Sequence, residues 1–189
     1  MALMKRTVDI ILAAFFTMLI AVPCLMVCVA VYVSSHGPVI YWSQRIGRHN
    51  NVFTMPKFRT MHPHTPEIAT HLLVDPDKYL TPVGRFLRKT SLDELPQIWS
   101  VLQGHMSIVG PRPALVSQND LIDLRTLAGV HTLTPGITGW AQVQGRDNLS
   151  VPQKVVLDID YMNKVGFFMD IKIIGLTILS IVKYNDVAH

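Results

Sequence analysis

An α-rich α+β fold with a membrane-inserted N-terminus is predicted by three features of this 189-residue chain. Residues 10–33 carry no charge, and residues 39–61 hold two β-branched and aromatic runs around a polar turn. Most of the remainder spaces its apolar residues as helices do. The length suits one domain of ordinary size with a substantial core.

As a single helix the uncharged run would measure about 36 Å, enough to cross a hydrocarbon layer of about 30 Å. It is too long for a signal-peptide core. Pro23 in its middle removes a backbone bond and predicts a kink. Lys5 and Arg6 precede the run and Arg45 and Arg48 follow it, so the positive-inside bias selects no orientation. A simple span, a re-entrant helix–break–helix returning to the same face, and a buried core helix all remain open. Cys24 and Cys28, one turn apart within the run, read as packing residues without metal spacing or a disulfide framework.

The hairpin is expected from about Val39 to Met61, with "RHNN" as its turn. Lys57 and Arg59, two apart, would share one strand face, as site cations or as a solvated surface. Residues 62–82 contain four prolines and predict an extended loop; the "HPH" pair His62 and His64 lies in it. "VGRFLRKT" predicts a short helix bearing Arg85, Arg88 and Lys89. A helix starting near Pro96 follows and stops at Gly104. Arg112 stands between two prolines in a rigid turn. "SQNDLIDLRTLAG" reads as a helix, "TPGITGWAQVQGRDN" as a glycine-rich segment carrying Arg146, and "SVPQKVVLDIDYMNK" as a helix with Pro152 in its first turn. Residues 166–182 are apolar but carry Asp170 and Lys172, which suits a core helix or one lying in the headgroup region.

The net charge of +4 is uneven. Residues 45–89 carry eight bases against three acids, whereas residues 90–189 carry seven against nine. Such a basic band suits a membrane surface, a nucleic acid or a phosphorylated substrate. Immediately after it comes "TSLDELPQIW", with Asp93 and Glu94 side by side. Ser91 with Glu94 resembles a capping box, but Pro96 would then be the fifth helical residue, where its ring clashes with the Leu92 carbonyl. A helix start near Pro96 leaves both acids in the turn before it. Adjacent carboxyls cannot straddle a sugar as a glycosidase requires. A carboxylate ringed by Arg88, Arg112, Arg146, Lys57 and Arg59 could instead attack phosphorus, and oxygen ligands with phosphate would favour Mg²⁺.

"KFRTM", "LRKTSLDELPQIWSVLQGHMSIVGPRPAL", "TPGITGWAQVQGR" and "LDIDYMNKVGFFMDIKIIGLTI" together resemble the bacterial sugar transferases, monotopic phosphoglycosyl transferases that begin glycoconjugate assembly. The resemblance runs from about Lys5 to Lys183. It implies that Asp93 attacks the β-phosphate of a UDP-sugar, releasing UMP and leaving a phosphosugar on the enzyme. Polyprenyl (undecaprenyl) phosphate then takes up the phosphosugar. It further implies Glu94 as the partner of Asp93, Mg²⁺ on Asp93, Arg88 and Arg112 on phosphate oxygens, and Arg146 near the nucleotide. Lys57, Arg59 and Asp158 would line the site or support it from behind. The implied architecture is a re-entrant membrane helix over 1–36 and a catalytic domain over 37–189, on the cytoplasmic face of the bacterial inner membrane and in contact with its lipid. One departure is Val22 before Pro23, where the family usually has a serine.

Two rivals remain at this stage. A membrane-bound glycosyltransferase would move sugar without its phosphate. A basic scaffold would need neither the paired-acid turn nor the proline-stiffened arginines, so no nucleic-acid partner is expected. The sequence names neither the sugar nor the oligomeric state.

Overall fold

The computed structural model describes residues 2–63, 65, 75–145 and 148–186. The chain opens with α1 (Ala2–Ser34), whose helical backbone runs through Pro23 without a break. The kink or break expected from Pro23 is thus not seen as a non-helical residue. Ile11, Phe15, Met18, Val22, Leu25, Val29 and Tyr32 form one exposed apolar stripe along the whole helix, spaced by alternating fours and threes. The opposite stripe, with Asp9, Ala13, Val27 and Val31, is buried.

Both ends of α1 are tied to the same body. Near its start Lys5 pairs with Asp170. Arg6 donates to the carbonyls of Val101 (2.5 Å) and Leu102 (2.9 Å), and Asp9 accepts from the Ile108 amide at 3.1 Å. Beyond its other end, the Ser35 carbonyl and hydroxyl both accept from Arg59 at 2.8 Å.

Strands β1 (Ile40–Ile46) and β2 (Val52–Phe58) form the expected hairpin, Ile40 opposite Phe58 and Ile46 opposite Val52. Within its turn His49 and Asn50 adopt left-handed conformations (φ 55° and 60°). Helix α2 (Pro82–Thr90) follows, then a 3-10 turn (Leu92–Gln97) that leads into α3 (Ile98–Gln103). The short strands β3 (Ser107–Val109) and β4 (Ala114–Leu115) precede α4 (Asn119–Leu127). Strand β5 (Gly136–Thr138), α5 (Trp140–Gln144), α6 (Val151–Lys164) and α7 (Phe167–Asp186) complete the described chain. β4 joins the hairpin as a third antiparallel strand on β1, while β3 and β5 pair in parallel.

The main core joins Ala13, Met55, Val101, Met106, Val109, Tyr161 and Ile173. A second cluster packs Val27 and Val31 of α1 on Phe58 and Leu87. Helix α6 begins with a capping box between Ser150 and Gln153, and Pro152 occupies its first turn. α7 is both core and surface: Ile173 is fully buried, whereas Phe168 is 87% exposed.

Candidate active site

The turn carrying the two acids is fixed from behind. Thr81 caps α2, its hydroxyl accepting from the Gly84 amide at 2.9 Å. Gly84 lies so close to the backbone following β2 that an added Cβ would sit 1.9 Å from the Thr60 carbonyl oxygen. Arg88 donates through Nε to Thr60 Oγ1 (2.9 Å) and through Nη2 to Met61 Sδ (3.4 Å). Ser91 then turns left-handed (φ 57°) and makes no side-chain cap bond, so it ends α2 instead of starting the next helix. The sequence places the acids before a helix near Pro96; they lie within a 3-10 turn that includes Pro96. Its three-residue register avoids the clash that proline would make with the carbonyl four residues back.

This turn aims the neighbouring acids into different environments. Glu94 Oε1 meets both Lys57 Nζ and Arg112 Nη2 at 2.7 Å. Burial alone would raise the Glu94 carboxyl, but Arg112 and Lys57 outweigh it and hold the group well below the usual carboxylate range. Asp93 is 8% exposed. Burial pushes its carboxyl up, the Glu94 charge adds to the rise, and Lys57 and Arg88 only partly offset it. Burial also lowers the Lys57 ammonium, while Glu94 supports its charge. One acid is therefore a neutralised anchor, and the other a more basic carboxylate.

Arg112 is supported by its backbone. At the end of β3 the chain passes hard against β5: a Cβ on Gly136 would lie 2.0 Å from the Gly110 nitrogen. The Arg112 carbonyl accepts from Arg125 Nη1 at 2.8 Å. Arg125 in turn donates through Nε and Nη2 to Asp158 Oδ2, at 2.9 and 2.7 Å. Asp158 therefore acts on the Arg112 segment through Arg125. On the other side Arg45 donates to Ser43 Oγ (3.0 Å) and to the Pro113 carbonyl (3.5 Å). Burial and the neighbouring Arg112 bring the Arg45 guanidinium down to about 10.

Sequence reasoning missed Arg45 and Arg125. Strand alternation carries a signal for the first: Tyr41, Ser43 and Arg45 share a face, and Tyr41 lies opposite Lys57. Arg125 has no local signal. Arg59 differs from its expectation. β2 ends at Phe58, and beyond it the Arg59 guanidinium turns to Ser35 at the end of α1. Lys57, by contrast, acts on both Asp93 and Glu94. Arg146 and His64 lie outside the described residues, as does much of the proline-rich loop.

Among the described residues no three His, Cys, Asp or Glu side chains gather as a metal cage. That donor set still fits Mg²⁺, which is commonly held by one or two carboxylates together with substrate phosphates. Asp93 is the available carboxylate, because Glu94 is occupied by Lys57 and Arg112.

The bacterial sugar transferase family matches residues 1–184 of the chain. An uncharacterized sugar transferase, EpsL, of Bacillus subtilis is 41% identical over 179 residues, covering 93% of this chain and 86% of the relative. The UDP-glucose:undecaprenyl-phosphate glucose-1-phosphate transferase of Escherichia coli is 41% identical over 185 residues, covering 93% of this chain. The undecaprenyl-phosphate galactose phosphotransferase of Salmonella typhimurium is 37% identical over 193 residues, covering 92% of this chain. The chain spans 39% of the length of each of these last two proteins. With the family match covering nearly all of its length, this chain belongs to the bacterial sugar transferases.

Proposed function

We propose that this chain transfers a sugar 1-phosphate from a UDP-sugar to undecaprenyl phosphate. The observation that carries the reading is the division of labour between adjacent acids. Glu94 is clamped by Lys57 and Arg112, while Asp93 is held at the same turn as the more basic carboxylate. An oxygen of the Asp93 carboxylate attacks the β-phosphorus of the donor, and the bond from that phosphorus to the bridging oxygen breaks. UMP departs, leaving an aspartyl phosphosugar. The phosphate oxygen of the acceptor then attacks the same phosphorus, and the Asp93 carboxylate is released.

Arg88 and Arg112 bind the phosphate oxygens, and Arg146 takes the nucleotide. Glu94 keeps Lys57 and Arg112 at a fixed separation. Asp93 would hold Mg²⁺ together with the donor, and the ion would supply neutralisation of phosphate charge. Asp158 and Arg125 fix the Arg112 segment.

In this reading α1 lies in one leaflet with both of its ends on the cytoplasmic side of the bacterial inner membrane. Its ties to one body at both ends and its exposed apolar stripe support that topology. The exposed side chains of α7 lie at the same lipid surface.

The relatives' names make UDP-glucose and UDP-galactose the first donors to test. Incubation with radiolabelled donor leaves label on the wild-type chain and releases UMP, and Asp93→Asn loses both. Release of UDP in place of UMP, or unlabelled protein with full turnover in Asp93→Asn, refutes the mechanism.

A further inference from the structure

A cavity of about 260 Å³ opens beside Glu94. Ser91, Glu94 and Leu95 form its acid-turn wall, and Phe16 and Ile20 of α1 form another. Ile137 and Val143 close it from β5 and α5. Polar groups at its wall are largely engaged with each other. The Thr138 and Thr177 hydroxyls bond at 2.7 Å, and Thr177 also donates to the Ile173 carbonyl of its own helix. Gln142 Nε2 donates to the Ile137 carbonyl at 3.0 Å, while its Oε1 is buried without a partner.

A space this apolar does not suit a sugar, whose hydroxyls would lose their hydrogen bonds on entering it. It suits a hydrocarbon, and its position restricts which one. One wall belongs to the helix whose opposite stripe is bare apolar surface, so the cavity borders the lipid-facing element. Another wall is Glu94, adjacent to the proposed nucleophile. A ligand filling this cavity is therefore an apolar chain with one end beside the acid turn.

We propose that the cavity seats the first isoprene units of the polyprenyl phosphate acceptor, the phosphate emerging beside Asp93. This rests on the acceptor assigned above. The cavity is far larger than the roughly 10–15 Å³ that a single water needs, and it accommodates a short hydrocarbon segment. The units beyond run along α1 into lipid.

The test separates the two half-reactions, using the full chain in phospholipid nanodiscs. Donor labelling of Asp93 and UMP release report the first half; formation of polyprenyl-diphosphate sugar reports the second. Acceptors are dimethylallyl, geranyl and undecaprenyl phosphate. In the wild type, acceptor KM falls at least about tenfold from the five-carbon to the ten-carbon chain and much less thereafter. Val143→Phe and Ile20→Trp, which fill the space, raise KM for the longer acceptors about tenfold or more and abolish the five-to-ten-carbon step. Donor labelling in these variants verifies that they fold.

Unchanged acceptor KM in both filling variants overturns the proposal, as does equal loss of donor labelling and acceptor transfer. A photoreactive phosphatidylethanolamine that crosslinks to Val143 and is not displaced by geranyl phosphate would assign the cavity to a lipid acyl chain and overturn it as well. Failure of the function itself reads differently: the wild type would then neither label nor release UMP.

Discussion

The Asp158–Arg125 pair offers the sharpest quantitative test of how Arg112 is held. Asp158→Asn keeps the side-chain shape but removes the charge that neutralises Arg125. The two side chains are 2% and 11% exposed, so this pair is largely out of water. Removing one member of such a pair costs about 3–5 kcal/mol. For a chain of this size that corresponds to a fall in Tm of roughly 6–20 °C. Arg125 also holds the Arg112 carbonyl at 2.8 Å, so the loosened clamp releases Arg112, the arginine proposed above to bind phosphate. Donor KM should rise about tenfold, equivalent to about 1.4 kcal/mol. Thermal unfolding in nanodiscs and UMP-release kinetics measure the two effects. The double variant Asp158→Leu/Arg125→Leu separates them. Stability should largely return, because replacing a buried ion pair by apolar side chains is often neutral, while donor KM stays raised. A double variant restoring both quantities would refute a positioning role for the clamp. A loss below about 1 kcal/mol in Asp158→Asn would refute its burial.

Two further outcomes concern the acids themselves. Because burial raises the Asp93 carboxyl, the acid limb of kcat/KM for UDP-sugar should lie above the ordinary aspartate value of 3.8, with activity gained as pH rises through the limb. Lys57 pulls that carboxyl down, so Lys57→Met should move the limb to higher pH; a shift to lower pH in pH–rate profiles would contradict the assignment. Chelation with EDTA should stop donor labelling, and added Mg²⁺ should restore it, as scored by label retained on the protein; undiminished labelling in EDTA would exclude the proposed metal.

The hairpin, α6 and the turn before α3 were legible because each depends on nearby residues: two β-branched and aromatic runs around a polar turn, Pro152 in a first turn, and Pro96 behind the acids. What could not be read depends on residues brought together from far along the chain. Arg125 reaches Asp158 across 33 positions, and no local pattern marks either as the other's partner. The parallel pairing of β3 with β5 involves strands of three residues, too short for periodicity to register. The Arg59 amide still bonds to the Val39 carbonyl, but its guanidinium finds Ser35 at the end of α1, a partner 24 positions away that no local pattern reveals. Adjacency of Asp93 and Glu94 was visible from the start. Their unequal charge environments required Lys57 and Arg112, which meet Glu94 from separate elements.

Lys57 near the end of β2 and Arg59 just beyond it link two parts of the molecule. They are two residues apart, about 7 Å along an extended chain, yet one grips the end of α1 while the other grips Glu94. The end of α1 and the acid turn are thus tied to neighbouring positions of one stretch of backbone.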